Sequence, residues 1–179
     1  MDDIFYMQQA LALAREAFDE GEVPVGCVIV RDGVIVGEGR NRREETKDAC
    51  AHAEMLAIGE ACQVLNDWRL DGCALYVTLE PCCHYGKTPP CTEIILEKKI
   101  RRVFVGCLDP NPKVAGGGIR ILREHGVEVI TGILEEECLR LNEVFFHYIR
   151  TGRPYVVMKY AMSLDGKIAC HTGDSKWVT

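Results

Sequence analysis

Apolar residues near the start of the chain recur every three or four positions, which indicates an amphipathic helix over residues 3–20 that ends at Gly21. Two short β-branched runs follow, Val25–Val30 and Val34–Gly37. The Asp-Gly pair between these runs is typical of a tight hairpin turn. The pattern therefore predicts one helix followed by a two-stranded hairpin.

Beyond this hairpin the chain continues as a polar loop over residues 38–50 and then alternates helical and strand patterns. Helices are predicted over 51–65, 91–98, 119–125 and 135–149, and strands over 75–79, 103–106, 127–131 and 155–160. Such alternation is typical of an α/β fold. We predict a three-layer α/β/α sandwich with a mixed central sheet.

The composition narrows the class of protein. With 179 residues, of which 47% are hydrophobic, the chain can bury one sizeable core. No apolar run is long enough to span a membrane and the first residues are acidic, which predicts a cytoplasmic protein without a leader. The net charge of −6 argues against a nucleic-acid partner. Ten cysteines in such a chain indicate reduced thiols and metal binding rather than disulfides.

Three short stretches supply candidate zinc ligands, namely His52, Cys82 and Cys91. Zinc binds nitrogen and thiolate ligands tetrahedrally, and catalytic sites leave the fourth position to a water molecule whose pKa the metal lowers to about 7. Glu54 is then free to move protons. Residues two apart on a helix point roughly 200° apart, so His52 and Glu54 can serve one centre only off the first helical turn. The pattern predicts a catalytic zinc site at a helix N-terminus.

A structural zinc site is the alternative, with Cys82, Cys83, His84 and Cys91 as its four ligands. It leaves the His-Ala-Glu triplet unexplained and departs from the usual cysteine spacing of structural sites. Because neighbouring side chains diverge in an extended segment, we expect Cys83 to face away from the metal. The remaining cysteines are predicted to be buried, inert thiols: Cys27, Cys50, Cys62, Cys73, Cys107, Cys138 and Cys170.

His52-Ala53-Glu54 and Pro81-Cys82 resemble the H-x-E and P-C-x-x-C signature of the zinc-dependent cytidine deaminase superfamily. The second cysteine, Cys91, comes nine positions after the first. The long loop between them is similar to that of the bifunctional deaminase/reductase family of riboflavin biosynthesis, as are residues 109–116 and 141–148. The resemblance implies a cytidine deaminase-like fold, hydrolytic deamination with zinc as cofactor, and a homo-oligomer such as a dimer.

Residues 159–167 and 172–177 are similar to the opening of the reductase domain of that family. There, the positions matching Ala161 and Trp177 contact NADPH, and the position matching Ser175 contacts substrate. We expect a deaminase domain over residues 1–149, and a linker with the truncated start of a reductase domain over 150–179. So short a segment cannot build a dinucleotide domain, so we expect no reductase activity and no NADPH requirement.

The N-terminal half resembles a second family, the bacterial tRNA adenosine deaminases. The similar segments are Gly21–Gly26, Asn41–Arg42, Ala51–Ile58 and Leu65–Leu70. Val23 and its neighbours stand where the riboflavin family would carry an Asn-Pro-x-Val-Gly motif with a pyrimidine-contacting asparagine. We interpret the chain as a mosaic of two relatives, whose boundary lies near residues 70–82.

The two resemblances imply different substrate contacts. For a small phosphorylated pyrimidine, the contacts would come from the zinc loop and the Gly-rich turn over residues 109–118: His84, Lys87, Thr88, Asn111 and Lys113. The alternative for these residues is a solvated loop. For tRNA, Asn41 would bind a flipped adenine and nearby cations would meet phosphates: Arg40, Arg42, Arg43 and Lys47. Neighbouring acidic residues favour a solvated flank for these cations.

We favour deamination of the diaminohydroxyphosphoribosylaminopyrimidine intermediate of riboflavin biosynthesis, because that resemblance covers the zinc loop and everything after it. The first alternative is tRNA-specific adenosine deamination, which yields inosine at the anticodon wobble position. The second is an inactive, zinc-stabilised binding module. Glu54 beside all three ligands argues against such a module, because a purely structural site has no need of an uncoordinated carboxylate. No membrane partner is expected.

Overall fold

The chain folds around a single mixed sheet with helices on both faces. The computed structural model describes residues 2–86 and 88–176. Its elements in chain order are α1 (Asp3–Asp19), β1 (Gly26–Arg31), β2 (Val34–Arg40), α2 (Arg43–Thr46), α3 (Ala53–Leu65), β3 (Ala74–Leu79), α4 (Cys91–Glu97), β4 (Arg102–Cys107), α5 (Gly117–Glu124), β5 (Glu128–Thr131), α6 (Glu135–Leu141) and α7 (Glu143–Thr151). Within these described residues, no helix combines the length and apolarity that crossing a membrane requires.

The sheet has the strand order β2-β1-β3-β4-β5. β1 runs antiparallel to both β2 and β3, whereas β3, β4 and β5 are parallel. The predicted hairpin is present, and both residues of its two-residue turn have positive φ, 49° at Asp32 and 82° at Gly33. Positive φ at both positions defines the turn type whose twist matches that of the strands. The predictions of the hairpin and of a mixed sheet are confirmed.

The helices form one layer on each face of this sheet. α1 packs on β1 and β3 and contacts α6, whereas α3 packs on β2 and β1 and contacts α4, which in turn contacts α5. Glycines permit the closest approaches. A Cβ atom at Gly26 would collide with the Ala10 carbonyl of α1, and one at Gly37 with the Ala57 carbonyl of α3. The predicted three-layer α/β/α sandwich is therefore confirmed.

Tyr76 lies at the centre of the core and ties α1 to the sheet. Its ring is fully buried and stacks on Phe104, with centroids 4.3 Å apart and planes 5° apart. Its hydroxyl donates a hydrogen bond of 2.7 Å to Asp3 Oδ1 in the first turn of α1. An aromatic pair of this kind contributes about 0.5–1.5 kcal/mol beyond its buried area.

The predicted helix over 135–149 is two helices, α6 and α7, separated at Asn142. The Asn142 side chain is fully buried and donates to Pro24 O at 3.1 Å and to Cys138 O at 3.2 Å. An asparagine that bonds nearby carbonyl groups competes with the helical hydrogen bonds and ends the helix. The predicted polar loop over residues 38–50 is also shorter, because β2 extends to Arg40 and α2 follows it.

The strand predicted over residues 155–160 is wrong. Among the described residues none pairs with this segment, and Val156, Val157 and Met158 are exposed by 82%, 78% and 76%. An apolar run becomes a strand only when a neighbouring strand accepts its backbone hydrogen bonds. The predicted burial of seven cysteines besides the ligands and Cys83 is wrong for two of them, because Cys50 and Cys170 are exposed on loops, and Cys62 is only partly buried.

Candidate metal centre and its cavity

Three chain segments meet at the carboxyl-terminal edge of the sheet. β3 ends at Leu79 and leads directly into Cys82, while His52 immediately precedes α3 and Cys91 is the first residue of α4. Ligand sites in open α/β sheets lie at this edge, where loops leave the strands. The N-termini of α3 and α4, each with the positive end of its helix dipole, therefore face the same place as the end of β3.

The structure brings the three predicted metal ligands together. His52 Nδ1 lies 3.4 Å from Cys91 Sγ and 3.9 Å from Cys82 Sγ. The three ligand atoms all lie within 4.8 Å of one another. A tetrahedral zinc ion with its usual bond lengths holds sulfur and nitrogen ligands roughly 3.5–3.8 Å apart. The donor set and its spacing therefore fit zinc.

The electrostatics of the cluster favour a thiolate at Cys82. The hydrogen bond from the Cys91 thiol lowers the pKa of Cys82 to about 4 against the opposing effect of burial, and a hydrogen bond from His52 adds to the lowering. The backbone N–H of Cys91, at the start of α4, also donates to Cys82 Sγ at 3.2 Å. The thiolate is the form that binds metals, so this thiol is prepared as a ligand.

Glu54 lies in the first turn of α3 and is 4% exposed. Burial, and then the Cys82 thiolate, raise the pKa of its carboxyl group to about 7. Glu54 and His52 both line one cavity although they are two residues apart, because His52 precedes the helix with extended backbone at φ −77° and ψ 151°. This agrees with the expectation of a metal at the helix N-terminus.

The cavity beside the cluster has a volume of about 280 Å³. Four of the six predicted substrate-binding residues line it: Asn41, His84, Thr88 and Asn111. The fifth, Lys113, is exposed and does not line it, and the sixth, Lys87, lies outside the described residues. Ala161 and Ser175 are exposed on the C-terminal segment away from the cavity, and Trp177 lies outside the described residues.

The polar groups of the lining residues differ in how far the protein itself uses them. Asn41 donates to Val23 O at 3.0 Å and accepts from the Ala53 N–H at 3.1 Å, so both ends of its amide are bonded. The buried Nδ1 of His84 has no hydrogen-bond partner among the described residues. Asn111 accepts from the Lys113 N–H at 3.1 Å through its side-chain oxygen.

Cys83 turns away from the metal cluster, as expected. Its thiol donates to Lys113 O at 3.6 Å. Within the described part of the chain, the atoms that can hold a metal belong to His52, Cys82 and Cys91. Neither Cys83 nor His84 is among them. The geometry therefore favours the three-ligand site over the structural four-ligand alternative.

The candidate phosphate-binding cations near α2 differ in whether an acidic side chain pairs with them. Arg40 pairs with Glu20 at 2.5 Å, and Arg42 pairs with Glu45 at 2.6 Å. The side chain of Arg43, one residue further, forms no ion pair or hydrogen bond with another described residue, and Arg43 lines the cavity. The expectation of a solvated flank thus fits Arg40 and Arg42, and Arg43 is the exception.

Sequence reasoning overlooked two acidic residues of the cavity wall, Glu80 and Asp109. Glu80 is 3% exposed and Asp109 is 9% exposed, and burial raises the pKa of Asp109 above its usual value. One signal could have found Glu80. It follows six consecutive buried residues of β3 and precedes Pro81-Cys82, so the strand delivers it to the same edge as the metal ligand.

Comparisons with known proteins support this description of the site. Residues 1–107 match the family model described as the cytidine and deoxycytidylate deaminase zinc-binding region. Residues 154–179 match a second model, the RibD C-terminal domain. The first match includes all three candidate metal ligands and Glu54.

Curated relatives are similar along the whole chain. The riboflavin biosynthesis protein RibD of Actinobacillus pleuropneumoniae is 50% identical over 100% of this chain and 46% of its own length. RibD of Escherichia coli is 43% identical over 100% of this chain and 47% of its own length. The chain thus spans about half the length of the curated relatives it matches.

Solved structures share the fold. A Thermotoga maritima structure, described as a diaminohydroxyphosphoribosylaminopyrimidine deaminase/5-amino-6-(5-phosphoribosylamino)uracil reductase, is 47% identical with a TM-score of 0.86 and covers 99% of this chain and 49% of that one. A structure from a study of tRNA:A34 deaminases is 37% identical with a TM-score of 0.68 and covers 76% of this chain and 98% of that one. Both predicted resemblances are confirmed. The mosaic with a boundary near residues 70–82 is wrong, because the RibD proteins are similar to this chain over its whole length.

Proposed function

Because the chain belongs to the cytidine and deoxycytidylate deaminase zinc-binding family, we propose that it hydrolytically deaminates the diaminohydroxyphosphoribosylaminopyrimidine of riboflavin biosynthesis and releases ammonia. The substrate is the one named for the Thermotoga maritima relative. A small phosphorylated pyrimidine suits a cavity of about 280 Å³, close to the lower end of the usual range for ligand pockets.

In this proposal His52, Cys82 and Cys91 hold zinc. Bound zinc lowers the pKa of a water molecule and so supplies a nucleophile at neutral pH. Glu54 accepts a proton on its carboxylate and passes it to the amine that leaves as ammonia. The buried position of Glu54 on the wall of the same cavity supports this role.

One observation carries the choice of substrate. The zinc loop and the Gly-rich turn place His84, Thr88 and Asn111 on the cavity wall, and these are the segments in which the chain resembles the riboflavin enzymes. Arg43 adds a permanent positive charge to the wall without a carboxylate partner, which suits a ribose phosphate. Lys87 and Lys113 stay predictions as further phosphate contacts.

The test compares two substrates on the same zinc-loaded protein. We expect ammonia release from the diaminopyrimidine ribose phosphate and no inosine from an adenosine-containing tRNA anticodon stem-loop. The Glu54→Gln protein, loaded with zinc in the same way, measures the background. Inosine formation without pyrimidine turnover would overturn the proposal in favour of tRNA.

The tRNA-specific adenosine deaminase remains a second candidate, because the chain covers 98% of a structure from the tRNA:A34 deaminase study. In that case, RNA retention should fall steeply with salt, since each phosphate contact releases counterions. Stoichiometric zinc with turnover of neither substrate would instead indicate the inactive binding module.

We further propose that residues 1–149 form the deaminase domain, and that residues 150–179 form a linker and the first part of a reductase domain. The match of residues 154–179 to the RibD C-terminal domain supports the second assignment. All ten cysteines are free, which suits a reducing compartment, and we propose a cytoplasmic location. A dimer is also proposed, and sedimentation equilibrium of the purified protein tests it.

A further inference from the structure

Glu80 makes more hydrogen bonds to backbone than the other carboxylates near the cavity. Its Oε2 accepts from the N–H groups of Gly116 at 2.9 Å and Asp109 at 3.4 Å. Its Oε1 accepts from Gly118 at 3.0 Å and Ile119 at 3.3 Å. With 3% exposure, the carboxylate has exchanged water for these four donors.

These four donors lie at the two ends of one segment, residues 109–119. Asp109 follows β4, and Gly118 and Ile119 belong to the first turn of α5. Between them the segment contributes Asp109, Asn111 and Val114 to the cavity wall. A single carboxylate therefore fastens both ends of this wall to the end of β3.

The same segment is pressed against the metal-ligand loop. A Cβ atom at Gly118 would collide with Pro81 O, and one at Gly117 would lie 3.0 Å from Cys83 Sγ. The bond from the Cys83 thiol to Lys113 O is a second link between the two loops. Pro81 and Cys83 are the chain neighbours of Cys82. Their contacts with residues 109–119 therefore fix the position of this wall relative to the metal ligand.

We propose that Glu80 is a positioning residue, which holds the wall of residues 109–119 at a set distance from the metal centre and so governs substrate affinity. This inference rests on the deaminase function proposed above. Both oxygens of Glu80 are occupied by backbone N–H donors, so its part is to hold the wall rather than to contact substrate. The N–H groups of Gly116 and Gly118 are therefore not free to bind a phosphate.

Glu80→Gln tests the proposal with little change in shape. The amide nitrogen that replaces one oxygen cannot accept hydrogen bonds, so two backbone N–H groups lose their acceptor. We expect KM to rise about tenfold while kcat changes less than about threefold, because the wall binds ground state and transition state alike. Zinc content should stay at one ion per chain. A merely destabilised protein would instead lose active fraction, lowering apparent kcat at unchanged KM.

The matched control is Glu60→Gln. Glu60 also accepts a backbone N–H, from Glu38 at 2.6 Å, but it is exposed on α3 away from this cavity. The Glu60→Gln protein should keep the wild-type KM. Glu80→Asp keeps the charge on a shorter side chain, and its KM should fall between those of wild type and Glu80→Gln. Wild-type KM in Glu80→Gln would overturn the proposal.

Hydrogen exchange followed by mass spectrometry separates this inference from the proposed function. In the zinc-loaded wild-type protein the amides of residues 116–119 should be protected, and in Glu80→Gln they should exchange at least about tenfold faster. Unprotected amides in the wild type would overturn the positioning role, whether or not a variant folds. If the wild type deaminates only the tRNA stem-loop, the KM comparison uses that substrate and the pyrimidine proposal alone fails.

Discussion

Asn41 and His84 lie on two walls of the cavity and differ in how far the protein uses their polar atoms. The wall before α3 commits its asparagine to the fold, since Asn41 bonds both the loop at Val23 and the N-terminus of α3. The wall from the zinc loop and the Gly-rich turn holds side chains such as His84, whose buried Nδ1 has no partner in the described residues. The protein thus uses both ends of the Asn41 amide, whereas one ring nitrogen of His84 has no partner among the described residues.

This difference explains why the two sequence resemblances point to different substrates. The motif of the N-terminal half that suggested tRNA includes Asn41, and the structure shows that its amide already serves the protein. The motifs that suggested a pyrimidine include His84, whose buried Nδ1 has no partner among the described residues. The same fold can thus carry similar motifs with different hydrogen-bonding capacity.

The largest effect is expected at Glu54, which both walls enclose. Glu54→Gln should lower kcat by about 10²–10⁴-fold, because it removes the proton carrier and keeps the shape of the side chain. Zinc content, measured by atomic absorption, should be unchanged. Glu60→Gln on the same helix should keep wild-type kcat. Full activity of Glu54→Gln would exclude the proton-transfer role.

His84→Ala should weaken substrate binding by the wall that the zinc loop forms, and should leave the rest of the fold unchanged. We expect KM for the pyrimidine to rise roughly tenfold or more, because the unpartnered ring nitrogen would pair with bound substrate. His125→Ala is the control, since His125 is exposed at the end of α5 and does not line the cavity. An unchanged KM for His84→Ala would show that His84 does not bind the substrate, and would favour recognition by the wall before α3.

Substitution of Arg43 tests whether the wall before α3 contributes a positive charge to substrate binding. Arg43→Ala should raise KM for the phosphorylated substrate about three- to tenfold and leave that for its unphosphorylated analogue unchanged. Arg42→Ala, which removes only an exposed ion pair with Glu45, should keep the wild-type KM. Equal effects on both substrates would show that Arg43 does not contact the phosphate.

The smallest kinetic effect is expected at Asn41. Asn41→Ala should lower the free energy of unfolding by about 1–2 kcal/mol in urea titration, because the first N–H of α3 and Val23 O lose their partners. KM for the pyrimidine should hardly change. Asn111→Ala should show the opposite pattern, with raised KM and nearly unchanged stability. If Asn41→Ala raises KM for a tRNA stem-loop, the adenosine alternative gains support.

Local patterns sufficed for much of the fold. Periodicity located α1, the hairpin, α3 and the core strands to within a few residues. An element that buries one face spaces its apolar residues with the period of a helix or a strand. It failed at Asn142 and at residues 155–160. In both cases the outcome depends on distant groups, namely the Pro24 carbonyl and a partner strand for the apolar run.

By itself the sequence determined the donor set of the candidate metal centre, because imidazole and thiolate groups are zinc ligands by their own chemistry. Tertiary structure alone decided which polar atoms remain for a substrate. Asn41 and His84 look equally available in the sequence, yet the fold bonds both the nitrogen and the oxygen of the Asn41 amide and leaves Nδ1 of His84 without a partner among the described residues. The fold likewise decides the bonding of Glu80, whose four partners lie 29, 36, 38 and 39 residues further along the chain. A side chain's type is local, whereas its free hydrogen-bonding capacity depends on what the fold brings beside it.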